Sequence, residues 1–457
     1  MRRLVGAGKV KTEAEDLLAY SSDASRYYVQ GKPEAVVLSE CVGDVVQVVR
    51  YANAHGVPLT PRGAGSGLSG GATPIHGGIV LDTKRMHRIL EINQGNMTAR
   101  VECGLVLAAF QRAVEKLKLF YPPDPQSMEV CTLGGNVATG AGGPHGVKYG
   151  TTQDYVLGLE AVLPDGSVIQ TGGLCVKRST GYNLTKLLTG SEGTLAVITK
   201  ANLRLLPLPP ARKTLIVVCD SVELASELVS RLIYERAVPA VLEYIAGAAM
   251  ALMNSYHPMP VALDGQAYLL VELDGSESAI REENEKVFRI SAEMKVREVK
   301  TVEDEKQAAQ VWQARRNIAP LLYRMFKKVV HEDVAVPRDK IPAMVKAVNE
   351  ISASLGIMTG MGGHAGDGNI HPGVLYLEVN EEMDRKAEEA VRRIILKGIE
   401  LGGTISGEHG LGLHKSQFLE LECGREQIEL MKRVKQAFDP KGIMNPGKIW
   451  VDAEARA

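Results

Sequence analysis

Apolar residues recur at helical spacing between residues 43 and 55, and the pattern then changes to that of a short strand. The side chains that would share one helix face are those of Val45, Val48, Val49 and Ala52. Gly56 suits the end of this helix, and VPLT predicts the strand that follows it. GGIVLDT and ARVECG predict further strands, and LVLAAFQRAVEKLKL predicts an amphipathic helix. The first half of the chain is therefore expected to mix helices and strands.

A proline-rich segment, LLPLPPARK, is the best candidate for a linker between two domains. After it, TLIVVCD, AVLEYI and QAYLLVELD predict strands, while ELASELVSRLIYE and IREENEKVFRISAEM predict helices. A further helix is predicted from about Glu382 to Gly398, ending at Gly402 and Gly403. This alternation is typical of an α+β or ferredoxin-like domain.

The composition excludes several classes of protein. The chain is 45% apolar and 23% charged with a formal net charge of -1, so no positive field favours nucleic acid as a partner. The start of the chain has no apolar stretch of a signal peptide, and no run is long enough to insert into a membrane. The six cysteines form no CxxC pair, so neither a disulfide framework nor an iron-sulfur cluster is expected. We therefore expect a cytoplasmic protein.

The stretch PRGAGSGLSGGATP, residues 61–74, contains five glycines. It satisfies GxGxxG, but no helical pattern opens within it, which argues against a nicotinamide-binding Rossmann loop. Backbone amides without side chains in the way can still surround an anion, and Arg62, Ser66 and Ser69 can add hydrogen bonds. A second glycine-rich stretch, TLGGNVATGAGGPHGVKYGTT at residues 132–152, indicates a long phosphate-bearing cofactor rather than a mobile surface loop.

Histidines are concentrated near the C-terminus. His364 and His371 lie in GHAGDGNIH, and Glu408 precedes His409 in SGEHGLG. Two imidazoles and a carboxylate can bind zinc, manganese or ferrous iron and leave positions open for a substrate. Asp367 in GDGN is interpreted as a turn residue instead. The pattern thus predicts a divalent metal site.

Seven motifs in order give the chain a resemblance to a known family: PRGAGSGLSGG, PPDPQS, TLGGNVATGAGGPHGVKYG, LTGSEGTLAVIT, GHAGDGNIHP, SGEHGLG and FDPKGIMNPGKI. Over roughly residues 20–450 the chain resembles the flavin-dependent 2-hydroxy acid dehydrogenases of the vanillyl-alcohol oxidase superfamily. The resemblance is to the group of the glycolate oxidase D subunit, D-lactate dehydrogenase and D-2-hydroxyglutarate dehydrogenase. It implies an α+β fold with a PCMH-type FAD-binding domain at 1–208, a ferredoxin-like cap at 209–405 and a returning segment at 406–457.

The resemblance also implies an FAD site. The first loop would hold the pyrophosphate through Arg62, Gly63, Gly65, Ser66, Gly67 and Ser69. The flavin and ribityl chain would be lined by Pro123, Asp124, Ser127, Thr132, Gly134, Gly135, Asn136, Ala138, Gly142, Lys148, Tyr149 and Gly150. Further cofactor-binding residues would be Glu192, Gly193, Ile198 and Asn445. Relatives that attach FAD covalently have a histidine near the position of Ser66, so a noncovalent flavin is expected.

By the same resemblance, the metal ligands are His364, His371 and Glu408, His409 is the catalytic base, and Arg315 of a W-x-x-R pattern meets the substrate carboxylate. A metal that chelates the 2-hydroxy acid would lower the pKa of its hydroxyl group. His409 would take that proton while a hydride passes from C2 to flavin N5. The arginine fork suits a carboxylate.

Substrate and electron acceptor are less specified by the sequence. A dicarboxylate such as 2-hydroxyglutarate would need a second positive group, for which the chain offers Lys327, Lys328 and His331 in uncertain register, so glycolate or D-lactate is favoured. Without a cluster or heme motif of its own, the chain is expected to pass electrons to an iron-sulfur subunit or an electron-transferring flavoprotein. Homo- or hetero-oligomers and peripheral membrane association through a partner are compatible with this. The alternatives are a metal-dependent hydrolase and a flavin-bearing relay subunit.

Overall fold

The computed structural model describes residues 1–25 and 30–450. About 39% of the structure is helical and 23% is strand, which confirms the predicted α+β class. The chain packs into two compact units. The first unit comprises Met1–Gly142, Thr151–Leu208 and the described residues from Glu408 onward, and the second comprises Gly143–Gly150 and Pro209–Gly407. No helix in the described ranges is long and apolar enough to cross a membrane.

The strands fall into two groups. Those of the first unit are β1 (Val10–Lys11), β2 (Ala35–Leu38), β3 (Leu59–Arg62), β4 (Ile79–Asp82), β5 (Ile89–Asn93), β6 (Thr98–Glu102), β7 (Leu119–Phe120), β8 (Val156–Val162), β9 (Val168–Gly172), β10 (Val197–Arg204) and β11 (Leu206–Pro207). Those of the second are β12 (Ala211–Cys219), β13 (Val241–Ala246), β14 (Ala267–Gly275), β15 (Glu298–Val302), β16 (Lys328–His331), β17 (Val334–Ala335), β18 (Met358–His364) and β19 (Asn369–Tyr376).

The α-helices up to the linker are α1 (Arg2–Val5), α2 (Ala14–Leu18), α3 (Val42–His55), α4 (Leu107–Glu115), α5 (Leu133–Thr139), α6 (Gly146–Tyr149), α7 (Thr152–Tyr155) and α8 (Leu184–Leu188). After the linker come α9 (Val222–Tyr234), α10 (Gly247–Tyr256), α11 (Glu277–Glu293), α12 (Glu305–Arg316), α13 (Ile318–Met325), α14 (Ile341–Leu355), α15 (Glu381–Glu400) and α16 (Leu419–Phe438). Short 3₁₀ turns are Ala7–Lys9, Arg338–Lys340 and Ser416–Phe418.

The first unit contains two main sheets. One has the order β1-β2-β4-β3, in which β2, β4 and β3 run parallel, and the other has the antiparallel order β5-β6-β10-β8-β9. The predicted helix of residues 43–55 is confirmed as α3, whose apolar face is fully buried and whose end at Gly56 has a left-handed φ of 63°. The strand predicted from VPLT corresponds to β3. The glycine-rich stretch of residues 61–74 begins within this strand and continues beyond its last residue, Arg62.

The second unit is built on one antiparallel sheet of order β15-β12-β14-β13-β18-β19-β16, with β17 paired to β19. The predicted strands TLIVVCD, AVLEYI and QAYLLVELD are confirmed as β12, β13 and β14. The helix predicted from Glu382 to Gly398 is confirmed as α15, which Asn380 caps and which extends to Glu400. The motif GHAGDGNIH forms the turn of the β18–β19 hairpin, which the apolar pattern did not predict.

One face of this sheet carries both an apolar core and a polar row. Ile216, Ile245, Tyr268 and Leu270 pack under residues of α10 and α12. Residues directly opposite each other in an antiparallel pair share a face. The strand register therefore continues this face from Ile245 to Gly362 and on to His371. His364 and His371 lie on this face, beyond the apolar core.

Candidate active site

In the first unit, the two glycine-rich stretches lie against each other. A Cβ at Gly63 would overlap the Thr132 Oγ1 atom, so glycine is required for this approach. Thr132 caps α5 by accepting a hydrogen bond from the Gly135 amide at 3.2 Å. At Gly67 a Cβ would meet nothing nearer than an Asp23 oxygen at 3.8 Å, which leaves room beside the backbone. This arrangement fits a cofactor that lies along exposed peptide groups.

Arg62, at the end of β3, folds back against its own loop. Its Nη1 donates to the Ala72 carbonyl oxygen at 3.2 Å, and its guanidinium stacks on the Tyr20 ring at 5.3 Å. Burial lowers the pKa of Arg62, against the attraction of Asp23, Tyr20 and Asp82. These contacts support the shape of the glycine loop, while the predicted contact of Arg62 with a pyrophosphate stays a prediction.

The segment that carries Glu408 and His409 is held by residues of the first unit. Ser69 donates from Oγ to the His409 carbonyl oxygen at 2.9 Å, and its own carbonyl oxygen accepts from the Leu413 amide at 2.8 Å. Glu192 accepts hydrogen bonds from the Leu411 and Gly412 amides, both at 2.8 Å. Two residues that the resemblance assigned to FAD therefore hold the SGEHGLG segment.

Glu192 has an unusual environment for a carboxylate. It is buried and has a positive φ of 53°. Burial raises its pKa, and the hydrogen bonds from the Leu411 and Gly412 amides offset this only in part. Asn445, which also has positive φ (42°), donates from Nδ2 to the carbonyl oxygens of Gly71 at 2.9 Å and Glu192 at 2.8 Å.

A buried acceptor in this region is open to a ligand. Within the described part of the chain, the Asn445 Oδ1 atom is buried without a hydrogen-bond partner. A buried amide oxygen normally has a partner. Together with the space beside Gly67, this atom indicates that the first unit fits FAD.

Several other predicted flavin residues have structural partners. The Pro123 carbonyl oxygen accepts from Gln111 at 2.9 Å, and the Ser127 carbonyl oxygen accepts from the Val130 and Cys131 amides at 2.8 Å. The remaining residues are placed by the structure as follows: Gly134 against Cys103, Asn136 and Ala138 within α5, Gly142 beside Glu408, Gly193 against Pro61, and Ile198 within β10. Asp124 and Ser66 are partly exposed.

Lys148 and Tyr149 belong to the second unit, whereas the two glycine-rich stretches up to Gly142 belong to the first. Both side chains bind the buried Asp274 on β14, Lys148 Nζ at 2.7 Å from Oδ1 and Tyr149 OH at 2.7 Å from Oδ2. Gly150 ends α6 with a φ of 77°. The predicted roles of these three residues at the flavin stay predictions.

The second unit brings the two predicted histidine ligands together. His364 is at the end of β18 and pairs in register with Asn369, while His371 on β19 pairs with Gly362. Because His364 and Gly362 are two residues apart on one strand, both histidines are on the same face of the sheet. Their ring centroids are 5.0 Å apart and the rings are nearly perpendicular, at 81°. Two imidazoles so arranged are suitable donors to one divalent ion.

Each of these histidines has a buried carboxylate beside its Nδ1 atom. The His364 Nδ1 lies 2.5 Å from Glu243 Oε1, and Glu243 is fully buried on β13. The His371 Nδ1 lies 3.9 Å from an oxygen of Asp333, whose other oxygen accepts from Ser406 Oγ at 3.0 Å. A carboxylate at Nδ1 is the common second neighbour of a metal-binding imidazole. The donor set therefore fits a metal ion.

Arg315, the predicted substrate-binding arginine, is paired with the same Glu243. Its Nε and Nη2 lie 2.8 and 2.6 Å from Glu243 Oε2. Trp312, one turn earlier on α12, anchors the helix by donating from Nε1 to Thr214 Oγ1 at 3.0 Å. Burial would raise the pKa of Glu243, but the positive charges of His364 and Arg315 hold it below its usual value.

The register around residues 327–331 separates the candidates for a second positive group. Lys328 is paired with Asp384 and lies over the Tyr376 ring. We call the sheet face that carries His364 and His371 the histidine face. His331 pairs with Gly373, which is two residues from His371, so His331 lies on the histidine face as well. At Gly373 and Gly362 a Cβ would make ordinary van der Waals contacts, with nearest atoms at 3.8 and 3.4 Å.

Two further polar residues of the motifs, Asp367 and His414, have structural explanations. Asp367 accepts from the Asn369 amide at 3.3 Å, as expected of a turn residue. Burial, with a smaller contribution from Lys415, lowers the pKa of His414 to about 4, so this imidazole is neutral at pH 7.

Sequence reasoning missed Glu243, Asp333 and Asp274. Glu243 lies inside AVLEYI, where it resembles a surface residue of an ordinary strand. An acidic residue within a strand that is otherwise apolar was the available signal.

Comparisons with known proteins give a consistent result. Residues 33–172 match the FAD binding domain model, and residues 208–449 match the model of FAD linked oxidases, C-terminal domain. The chain is 41% identical over 440 residues to the glycolate oxidase subunit GlcD of Bacillus subtilis, covering 96% of this chain and 93% of that protein. It is 34% identical to a D-lactate dehydrogenase of Anaerostipes hadrus, covering 94% and 92%.

Solved structures support the fold. The substrate-bound structure of p-cresol methylhydroxylase matches with a TM-score of 0.83 at 18% identity, covering 99% of this chain and 96% of that one. At this identity the match concerns the fold alone, and it agrees with the predicted PCMH-type FAD-binding domain.

Proposed function

Since this chain belongs to the FAD-linked oxidases, in the group of glycolate oxidase D subunits and D-lactate and D-2-hydroxyglutarate dehydrogenases, we propose that it oxidises a small 2-hydroxy acid to the 2-oxo acid. Glycolate and D-lactate are the favoured substrates. The observation that carries the proposal is the pair His364 and His371 on one sheet face, each with a buried carboxylate beside Nδ1.

The proposed metal ligands are His364, His371 and Glu408. The contact of His364 Nδ1 with Glu243 directs the opposite ring nitrogen, Nε2, toward a ligand. Glu408 is assigned as the third ligand from its place in the SGEHG motif. A bound divalent ion, zinc, manganese or iron, would lower the pKa of the substrate hydroxyl group.

The proposed reaction divides the departing atoms between two acceptors. His409 takes the hydroxyl proton as general base, which suits an imidazole because its ordinary pKa is near neutrality. Noncovalent FAD, when bound, supplies the acceptor for the C2 hydride. Arg315 binds the substrate carboxylate through the part of its fork that Glu243 does not occupy. One two-electron oxidation thus gives the 2-oxo acid and reduced flavin.

The preference for a monocarboxylate rests on Lys328. Its ammonium group is paired with Asp384, which removes it as a partner for a distal substrate carboxylate. Of the other two candidates, His331 shares the sheet face of His364 and His371 and is charged only when protonated, whereas Lys327 precedes β16 and is exposed. D-2-hydroxyglutarate is the alternative substrate.

We further propose that a separate protein takes the electrons, either an iron-sulfur subunit or an electron-transferring flavoprotein, in a cytoplasmic complex. Support comes from the absence of a CxxC pair or heme motif in the sequence and from relatives named as subunits of glycolate oxidase. Turnover should be faster with such a protein acceptor than with oxygen. Rapid turnover on oxygen alone, with no binding of either acceptor, would contradict this part.

The test of the reaction is an anaerobic absorbance titration of the metal-replete protein. Glycolate, D-lactate, L-lactate and D-2-hydroxyglutarate are added separately, and bleaching of the flavin band by one of the first two is expected. The same protein after EDTA treatment is the matched control, and its flavin should be reduced far more slowly. Unbleached flavin with all four acids would refute the proposed function.

A further inference from the structure

Glu243 is a fully buried carboxylate on the sheet face that carries His364 and His371. Its side chain is 0% exposed, and β13 is flanked by β14 and β18 within the sheet. The residues around it on this face, such as Ile245 and Leu270, are apolar. An isolated buried charge is very costly in free energy. The charge of Glu243 can therefore be buried here only because His364 and Arg315 are paired with it.

The two oxygens of Glu243 are divided between two functional side chains. Oε1 contacts the His364 Nδ1, and Oε2 contacts both Nε and Nη2 of Arg315. His364 is supplied by the β18–β19 hairpin and Arg315 by α12. One planar group on a central strand therefore sets the orientation of side chains from two separate elements.

This contact determines what each partner can offer. A carboxylate at Nδ1 keeps the proton on that nitrogen and leaves Nε2 of His364 as the donor to a metal. For Arg315, the two bonds to Oε2 fix the plane of the guanidinium, so that its remaining edge has one direction. Because one carboxylate makes both contacts, the orientations of His364 and Arg315 are fixed relative to each other.

We propose that Glu243 is a positioning residue that holds His364 for metal binding and Arg315 for substrate carboxylate binding in one rigid arrangement. This inference rests on the proposed function. Its consequence is that replacement of Glu243 weakens metal affinity even though Glu243 does not touch the metal.

The test is zinc affinity of the flavin-loaded, chelator-stripped protein, measured by competition with a chromogenic chelator. Glu243→Gln keeps the size of the side chain but gives His364 or Arg315 an amide donor in place of an acceptor. We expect zinc binding to weaken by about 10- to 100-fold, as for other second-neighbour carboxylates. His364→Ala should weaken it further.

Glu102→Gln is the matched control. Glu102 is also buried and also paired with an arginine, Arg88 at 2.8 Å, but among the residues that the structure describes its side chain has no hydrogen bond or ion pair with a histidine. Zinc affinity should match that of the wild type in this variant. Equal loss in Glu102→Gln and Glu243→Gln would overturn the inference, because loss of any buried carboxylate would then suffice.

The outcomes separate this inference from the function on which it rests. Wild-type protein without measurable zinc, manganese or iron affinity would refute the proposed metal site. Wild-type affinity in Glu243→Gln, with clear zinc binding by the unmodified protein, would overturn the positioning role alone.

A measurement on the unmodified chain covers the case in which Glu243→Gln does not fold. In the zinc-loaded wild type with ¹⁵N-labelled histidine, the rings of His364 and His371 should each show a proton on Nδ1 and a metal-shifted Nε2. The more slowly exchanging Nδ1 proton, expected for His364 because of its shorter contact with a carboxylate, should disappear in His364→Ala. A zinc-loaded protein in which the signals show the Nε2-protonated form for every ring would overturn the proposal.

Discussion

Two buried glutamates show how different surroundings give the same residue different tasks. Glu192, in the first unit, accepts hydrogen bonds from the amides of Leu411 and Gly412, and burial raises its pKa. Glu243, in the second unit, contacts His364 and Arg315, and these charges outweigh burial and keep its pKa low. The two backbone N–H groups favour the charged form of Glu192 but offset its burial only in part, whereas the cations beside Glu243 outweigh the effect of burial.

This difference indicates what each glutamate does. Glu192 shapes a segment of backbone, the one that follows His409, and a neutral acid could do the same. Glu243 needs its charge, because it holds two potential cations on the functional face of the sheet. Four predictions test the contrast, beginning with the largest expected effect.

The first prediction concerns the segment that Glu192 holds. His409→Ala should slow flavin reduction by about 10²- to 10⁴-fold, as expected for loss of a general base. FAD content should stay unchanged, because the residue reaches Ser69 through its backbone oxygen. Stopped-flow anaerobic reduction measures the rate, and His55→Ala, at an exposed helix end, is the control. Reduction at a near-normal rate would remove His409 from the mechanism.

The second prediction tests the need of Glu243 for a cation. Arg315→Leu leaves the buried carboxylate without its arginine and should lower the free energy of unfolding by about 3–5 kcal/mol. Denaturant unfolding followed by circular dichroism measures the change. The double variant Arg315→Leu, Glu243→Gln should recover part of the loss, because no unpaired charge remains. Additive losses in the double variant would show that the pair is not coupled.

The third prediction uses Lys448, which lies near Glu192 and donates to the Thr73 carbonyl oxygen at 2.8 Å. Burial lowers the pKa of Lys448 to about 8. Between pH 8 and 10 the unfolded chain holds more protons than the folded one, so stability from this group rises with pH. The stability of wild type relative to Lys448→Met should therefore rise by about 2 kcal/mol from pH 7 to 10.

Thermal midpoints of both proteins, measured across this pH range, provide the test. The comparison with Lys448→Met removes the contributions of all other groups that titrate in the same range. A stability difference that stays constant from pH 7 to 10 would contradict the low pKa of Lys448.

The fourth and smallest effect is expected from Glu192→Gln. Because the pKa of Glu192 is raised, the folded state favours the protonated acid, and the contribution of this group to stability falls as pH rises from about 4.5. Glutamine removes the charge that burial disfavours, but it also replaces one of the two accepting oxygens with an N–H donor. The two changes partly cancel, so at pH 7 the stability of the variant should lie within about 1 kcal/mol of the wild type. Thermal unfolding at pH 5 and 8 tests this, and marked destabilisation at pH 8 would contradict it.

The resemblance and the patterns of apolar residues predicted much of the fold. The α+β class, the helix α3 and the strands β12, β13 and β14 were all predicted, because each has a clear period or a continuous apolar run. The hairpin that carries His364 and His371 was not, since its glycines and polar residues hide the strand period. Its strands are stabilised by neighbours in the sheet rather than by their own propensity.

The candidate site divides in the same way. The motif residues His364, His371, Glu408 and His409 could be singled out because their residue types have few structural explanations in that spacing. Glu243 could not be singled out, because a lone acidic residue in a strand has many structural explanations. Lys328 and His331 could not be separated, because a shift of one residue in register exchanges the two faces of a strand.

The residue types and their order establish the kind of site to expect: glycines where the backbone must stay accessible, imidazoles and a carboxylate in motif order, and apolar patterns typical of helices and strands. Which charged groups meet depends on the folded arrangement. Glu243 and His364 are 121 residues apart, and Glu243 and Arg315 are 72 apart. Such pairs form only when strand register and helix packing bring distant segments together, and local patterns in the sequence contain no record of that register.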